Sequence, residues 1–172
     1  ELRSSIFLLG SILSRQQYAK VAYPGGCDIG LRPIDIHIKG LRELNVRIVE
    51  RAGYIYCDAT KIIGADINLD YTSVGATERN AACEPEILDL QNFLNTMGAK
   101  ISGAGTSVIK IEGVESLHGT TYQAMPDRIV AGTFAIATAI AGGEVKLTSA
   151  RAGDLNSLLS KLNKTSCHVA FK

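Results

Sequence analysis

Fifteen residues concentrate the chain's reactive groups: Tyr23-Pro24-Gly25-Gly26-Cys27-Asp28-Ile29-Gly30-Leu31-Arg32-Pro33-Ile34-Asp35-Ile36-His37. They hold a thiol, two carboxylates, a guanidinium and an imidazole. A thiol can serve both as an acid and as a soft nucleophile. A guanidinium five positions on suits bidentate contact with phosphate or carboxylate. Pro24-Gly25-Gly26 reads as a turn whose backbone can lie close to another molecule, because glycine carries no Cβ. A helical pattern starts near Arg32, and a helix N-terminus lowers a thiol pKa and attracts anions. Pro33 and Asp35 suit the first turn of that helix. A loop cysteine is often only a small buried hydrophobe. Here its neighbours Gly26, Asp28 and Gly30 are not apolar, which favours a reactive thiol.

The elements that must position this loop follow from hydrophobic periodicity. Residues 4–15 place Ile6, Leu9, Ile12 and Leu13 at helical spacing, with Ser4 or Ser5 as cap. Residues 20–23 form a short strand leading into the loop. Residues 32–44 form a second helix with Ile34, Ile38, Leu41 and Leu44 as its apolar stripe. Strands are expected over 46–50 and 54–59 with a turn at Ala52-Gly53, and over the alternating 65–71. A third helix covers 84–97, with Ile87, Leu90, Leu94 and Met97 inward. Strands at 99–102 and 107–112 flank Gly103-Ala104-Gly105. A strand at 122–125, a small-residue helix at 133–140, a strand at 144–148 and a helix at 155–162 complete the order. The sequence repeats itself weakly: Leu41-x-x-Leu44-Asn45-Val46 echoes Leu94-x-x-Met97-Gly98-Ala99, and Leu159-x-x-Leu162-Asn163 is a shortened third copy.

Bulk properties exclude several classes. The 172 residues carry 18 basic and 17 acidic groups, so there is no basic footprint for nucleic acid. The chain has no tryptophan and few aromatics for base stacking. Its longest apolar runs fall well short of the ~20 residues a spanning helix needs, and no membrane association is expected. Cys27, Cys57, Cys83 and Cys167 show no zinc-ligand spacing and no density typical of secreted scaffolds, so reduced thiols and no metal are expected. The first residue is Glu1 within a helical pattern, which reads as an excerpt of something longer.

The loop from Pro24 to His37 closely resembles the active-site loop of the UDP-N-acetylglucosamine 1-carboxyvinyltransferase family, the enolpyruvyl transferases of peptidoglycan synthesis. Four further blocks resemble that family in its order: Ser73-Val74-Gly75-Ala76-Thr77, Asn80 to Ile87, Met97 to Gly103 and Pro126-Asp127-Arg128-Ile129. The resemblance implies an α+β fold of repeated β-α-β-α-β-β units, an inside-out α/β barrel, incomplete here. Residues 1–125 would be the later part of the first, catalytic-loop domain and 126–172 a partial segment of the second. Between Thr77 and Asn80 the family's usual helix and strand are reduced to Glu78-Arg79.

The implied activity is transfer of the enolpyruvyl group of phosphoenolpyruvate to the 3-hydroxyl of UDP-N-acetylglucosamine with release of phosphate, in the cytoplasm and without metal or redox cofactor. In that resemblance Cys27 is the proton donor and the target of fosfomycin. Arg32 and Arg3 face the substrates, and Pro33, Ile34, Asp35 and Ile36 line the uridine pocket. Thr72, Ser73, Val74 and Gly75 hold the diphosphate, beside Tyr71 where some members carry a lysine. His37 matches a family histidine near the loop, yet next to Ile36 and Ile38 it is equally a packed edge group. Glu84 and Glu86 are helix-start acids and Asp127-Arg128 a strand-end ion pair. Two alternatives stand beside this reading: a non-catalytic UDP-sugar-binding fragment, and the related shikimate-pathway enolpyruvyl transferase, which is not expected to present a cysteine in this loop.

Overall fold

The computed structural model describes residues 6–23, 34–68, 83–165 and 167–170. They fall into two compact units, Glu1–His118 and Gly119–Lys172.

The first unit is built on a three-stranded antiparallel sheet in the order β1-β3-β2, with β1 Tyr18–Ala22, β2 Arg47–Arg51 and β3 Tyr54–Asp58. β2 and β3 are joined by Ala52 and Gly53, both left-handed at φ 50 and 76. A two-residue turn of that kind matches the twist of the flanking strands. On central β3 the inward residues are Ile55 and Cys57, 0% and 3% exposed. Val21 lies opposite Ile55, and Ala19 and Ile48 lie opposite Cys57.

Two helices close over that face. Helix α1, Phe7–Gln16, sends Leu9 and Leu13 into the core together with Ile6, which precedes it. It ends at Gln17, left-handed at φ 62, whose N–H donates to the Leu13 carbonyl at 2.9 Å. Helix α2, Asp35–Glu43, contributes Ile38, and Ile34 before it reaches the same core. Ile36 packs instead on Ile67 in a small second cluster with Leu44. The sheet, α1 and α2 therefore share one hydrophobic centre. The cap expected at Ser4 or Ser5 lies outside the described residues.

Helix α3, Pro85–Thr96, starts with extended Glu84 and Pro85 in its first turn, the position proline tolerates. It is tied to the hairpin β4 (Lys100–Ser102) and β5 (Lys110–Glu112) by side-chain amides. Asn95 donates to the Ile101 carbonyl at 2.8 Å and accepts from the Ile101 N–H at 2.9 Å, and Gln91 accepts from the Ala104 N–H at 2.9 Å. In the hairpin turn Gly103 sits at φ +89, where a Cβ would lie 2.2 Å from the Val108 carbonyl oxygen. Both strands are shorter than expected. At 107–109 the Thr106 hydroxyl accepts from the Val108 N–H at 3.2 Å, a local bond that competes with the ladder.

The internal echo is real at the level of backbone closure. After α2, Asn45 is left-handed, its N–H reaches the Arg42 carbonyl and that of Val46 reaches Leu41. After α3, Gly98 is left-handed, its N–H reaches Asn95 and that of Ala99 reaches Leu94. Both are Schellman-type helix ends feeding a strand. At the third copy Asn163 stays right-handed at φ −64, so this closure is not repeated.

Several expectations are corrected. Residues 65–67 are irregular and Asn68 is a single bridge rather than part of a strand; 69–71 lie outside the described residues. Residues 122–125 and 144–148 are irregular too, because alternation makes a strand only where another strand supplies the ladder. Leu90 on α3 is 51% exposed and not inward. In the second unit helix α4, Arg128–Ala141, begins earlier than expected because Asp127 is its N-cap, accepting from Ile129 N–H at 2.8 Å and Val130 N–H at 3.0 Å. Asp127 therefore starts a helix and does not end a strand. A 3-10 turn, Ala152–Leu155, leads into helix α5, Asn156–Leu162, with Leu155 and Leu158 packed on Gly132 of α4.

Candidate active site

The cysteine loop is launched from β1 and received by α2. At its near end the Tyr23 N–H donates to the Gly53 carbonyl at 2.8 Å, so the strand stays anchored to the β2–β3 turn. At its far end Ile34 is 4% exposed and fixes the first turn of α2 in the core. Cys27, Arg32 and Pro33 lie between these anchors, outside the described residues. Arg3, Thr72, Ser73, Val74 and Gly75 lie outside them as well.

Four expected site residues are described, all at the start of α2. Asp35 is an exposed acid in the first turn, where it complements the helix dipole. Ile36 is 6% exposed, so its side chain serves packing. His37 is half-buried, with its ring 6.4 Å from that of Phe7 at an interplanar angle of 81°. Among the described residues neither of its ring nitrogens finds a hydrogen-bond partner. Burial pushes the imidazole below its ordinary 6.5, and the nearby Asp35 carboxylate opposes that shift without cancelling it. The ring is therefore mainly neutral near pH 7, with one donor and one acceptor nitrogen. Leaving a polar group shielded and unpaired costs about 1–3 kcal/mol, so this imidazole is primed for a partner.

A groove of about 300 Å³ lies alongside, lined by Tyr23, Asp35, Ile38, Lys39, Arg42, Glu43 and Glu50. Arg42 faces Glu50 across it at 3.6 Å. Its mixed charges suit a solvated flank better than an anion cradle. Among the described residues no group of three His, Cys, Asp or Glu side chains could hold a metal ion, and no helix is long and apolar enough to cross a membrane.

Phe7 was missed by sequence reasoning. In the sequence it only falls off the Ile6, Leu9, Leu13 stripe; the fold shows that it is 65% exposed and meets the His37 ring.

The model of the EPSP synthase (3-phosphoshikimate 1-carboxyvinyltransferase) family matches residues 1–171. The chain belongs to the EPSP synthase family. Among this family's members, UDP-N-acetylglucosamine 1-carboxyvinyltransferase 2 of Caldanaerobacter subterraneus is 51% identical over 183 residues, covering 98% of the chain and 44% of that protein. UDP-N-acetylglucosamine 1-carboxyvinyltransferase of Caulobacter vibrioides is 45% identical over 185 residues, covering 98% of the chain and 43% of the relative. That of Caulobacter sp. strain K31 is 47% identical with the same coverage. The chain thus spans less than half the length of these relatives. Because the first match runs over 183 positions and the chain has 172 residues, at least eleven positions of that relative have no counterpart here. Within this EPSP synthase family chain helix and sheet are mixed, and the described residues form no closed barrel.

Proposed function

We propose that the chain carries the cysteine-loop part of an enolpyruvyl transferase acting on phosphoenolpyruvate and UDP-N-acetylglucosamine, in peptidoglycan synthesis. The observation that carries this is 51% identity, over 98% of the chain, to a protein bearing that name. The family description names the 3-phosphoshikimate reaction. The Pro-Gly-Gly-Cys loop and the names of the relatives favour the nucleotide sugar.

In this reading the sugar 3-hydroxyl gives its proton to a base and its oxygen bonds to C2 of phosphoenolpyruvate, while Cys27 delivers a proton to the methylene carbon. A base then takes one proton from the new methyl group, the C–O bond to phosphate breaks with its electron pair leaving on phosphate, and the double bond is restored. Arg32 and Arg3 neutralise the phosphate and carboxylate. Pro33, Ile34, Asp35 and Ile36 line the uridine pocket largely through backbone groups, supported by the fixed start of α2, with His37 beside them as a further substrate-binding residue. Thr72, Ser73, Val74 and Gly75 hold the diphosphate. The repeated β-α-β-α-β-β architecture and a domain boundary near residue 125 belong to the same reading, supported by the twice-used helix closure and by the two compact units. Closing a cleft between two domains positions and dries reacting groups. With 44% of a relative's length, the 172-residue chain on its own is expected to release no phosphate above a Cys27→Ala control.

The test is intact-mass measurement after incubation with fosfomycin, with and without UDP-N-acetylglucosamine. One adduct that is absent in Cys27→Ala and accelerated by the nucleotide sugar supports the reading. No adduct, or equal labelling of all four cysteines, refutes it for this chain.

A further inference from the structure

We propose that Phe7 is a positioning residue for the nucleotide-sugar pocket, its exposed ring holding the His37 imidazole in one orientation. This rests on the reading of His37 as a pocket residue given above. The two rings meet edge to face, with centroids 6.4 Å apart and planes at 81°, an arrangement the aromatic quadrupole favours. Neither residue is free to drift. On α1 buried Ile6 precedes Phe7 and buried Leu9 follows it two positions on, and on α2 His37 stands between buried Ile36 and Ile38. Ile6, Leu9, Ile34 and Ile38 belong to one core cluster, so α1 and α2 are clamped on the same support. A contact between rigid elements can hold a side chain to the tolerance a binding site needs.

The contact is also unusual for what it leaves undone. Phe7 is 65% exposed, so hydrophobic burial does not account for an aromatic residue here. The His37 ring nitrogens are shielded and unpartnered among the described residues. Phe7 supplies no hydrogen bond; it restricts the rotation of a ring whose nitrogens remain available. Of the charged groups, the carboxylate of Asp35, two residues away on α2, acts on that imidazole.

The experiment compares the whole chain with Phe7→Ala, Phe7→Tyr, His37→Gln and the Phe7→Ala/His37→Gln double variant. UDP-N-acetylglucosamine affinity is measured by calorimetric titration, and the His37 ring signals are followed by NMR across pH 5–8. Phe7→Ala is expected to weaken binding about three- to tenfold, Phe7→Tyr to restore it, and Phe7→Ala to have no further effect once His37 is Gln. In Phe7→Ala the His37 midpoint should move up towards 6.5 as water reaches the ring. Equal losses from Phe7→Ala in the wild-type and His37→Gln backgrounds would overturn the proposal, as would a tyrosine that fails to restore binding. If the wild-type chain binds no nucleotide sugar, the pocket reading fails. The positioning role is then judged on the NMR signals, and an unmoved His37 in Phe7→Ala overturns it.

Discussion

Replacing Ile55 with Ala should remove the common support of α1 and α2. Among the described residues Ile55 is the core side chain with no exposed surface, at the centre of the central strand, between Val21 and Glu50 on its neighbours. Truncation deletes three carbons and leaves a cavity in the buried cluster that Ile55 shares with Leu9 and Leu13 of α1 and Ile38 of α2. Buried Ile→Ala changes cost about 2–5 kcal/mol, and this geometry argues for the upper half of that range. With a urea dependence of about 1–3 kcal/mol per molar, the unfolding midpoint of the first unit should fall by roughly 1–5 M. Far-ultraviolet circular dichroism follows the transition, with tyrosine fluorescence from Tyr54 and Tyr56 as a second probe because the chain lacks tryptophan. Ile111→Ala on β5, at a residue 58% exposed, is the control and should stay within about 0.5 kcal/mol. A loss at Ile55 below about 1 kcal/mol, or one no larger than the control's, would refute the shared-core account.

Other expectations follow from single contacts. Gly103→Ala combines a 2.2 Å approach to the Val108 carbonyl oxygen with φ +89, and should open the β4–β5 turn, read as faster amide exchange at Ile101 and Ile111. Asp127→Ala removes two capping bonds at the start of α4 and should cost about 0.5–2 kcal/mol, with Asp127→Asn recovering most of it, in thermal melts of the variants. His37 has a lowered pKa in the folded state, so below 6.5 the unfolded chain binds more protons; stability falls as pH drops from about 6.5, and His37→Gln should flatten that slope in urea titrations. For thiol labelling, exposed Cys83 should react in the native chain, whereas Cys57, buried and with its thiol pushed up by burial, should react only on unfolding.

What could be read from the sequence divides along a physical line. Elements whose signal is local were legible: the spacing of Ile6, Leu9 and Leu13, the stripe of Ile34 and Ile38, and the Ala52-Gly53 turn between two alternating runs all describe a chain segment meeting a single apolar face. Elements that depend on a distant partner were not. The runs at 122–125 and 144–148 alternate as strands do, yet no described strand offers them a ladder. Leu90 keeps helical spacing with Ile87, yet the described residues leave it 51% exposed. Asp127 could have been recognised, since an acid followed by a helical apolar run is a capping signal. Reading it as one half of an ion pair with Arg128 hid that signal.

The candidate site shows the same division at finer scale. A motif such as Pro-Gly-Gly-Cys announces itself because glycine, proline and a reactive side chain are rare in combination and their chemistry is local. The environment of His37 has no such marker. Its neutrality comes from burial made by two helices and is opposed by an acid two residues away. Its orientation comes from a ring thirty positions earlier in the chain. Only a common core can bring Phe7 and His37 together, and that core is assembled from α1, α2 and all three strands of the sheet. The burial that sets the His37 protonation state therefore depends on the core that holds α1 and α2 in place, and core truncations such as Ile55→Ala should disturb the His37 titration before they abolish folding.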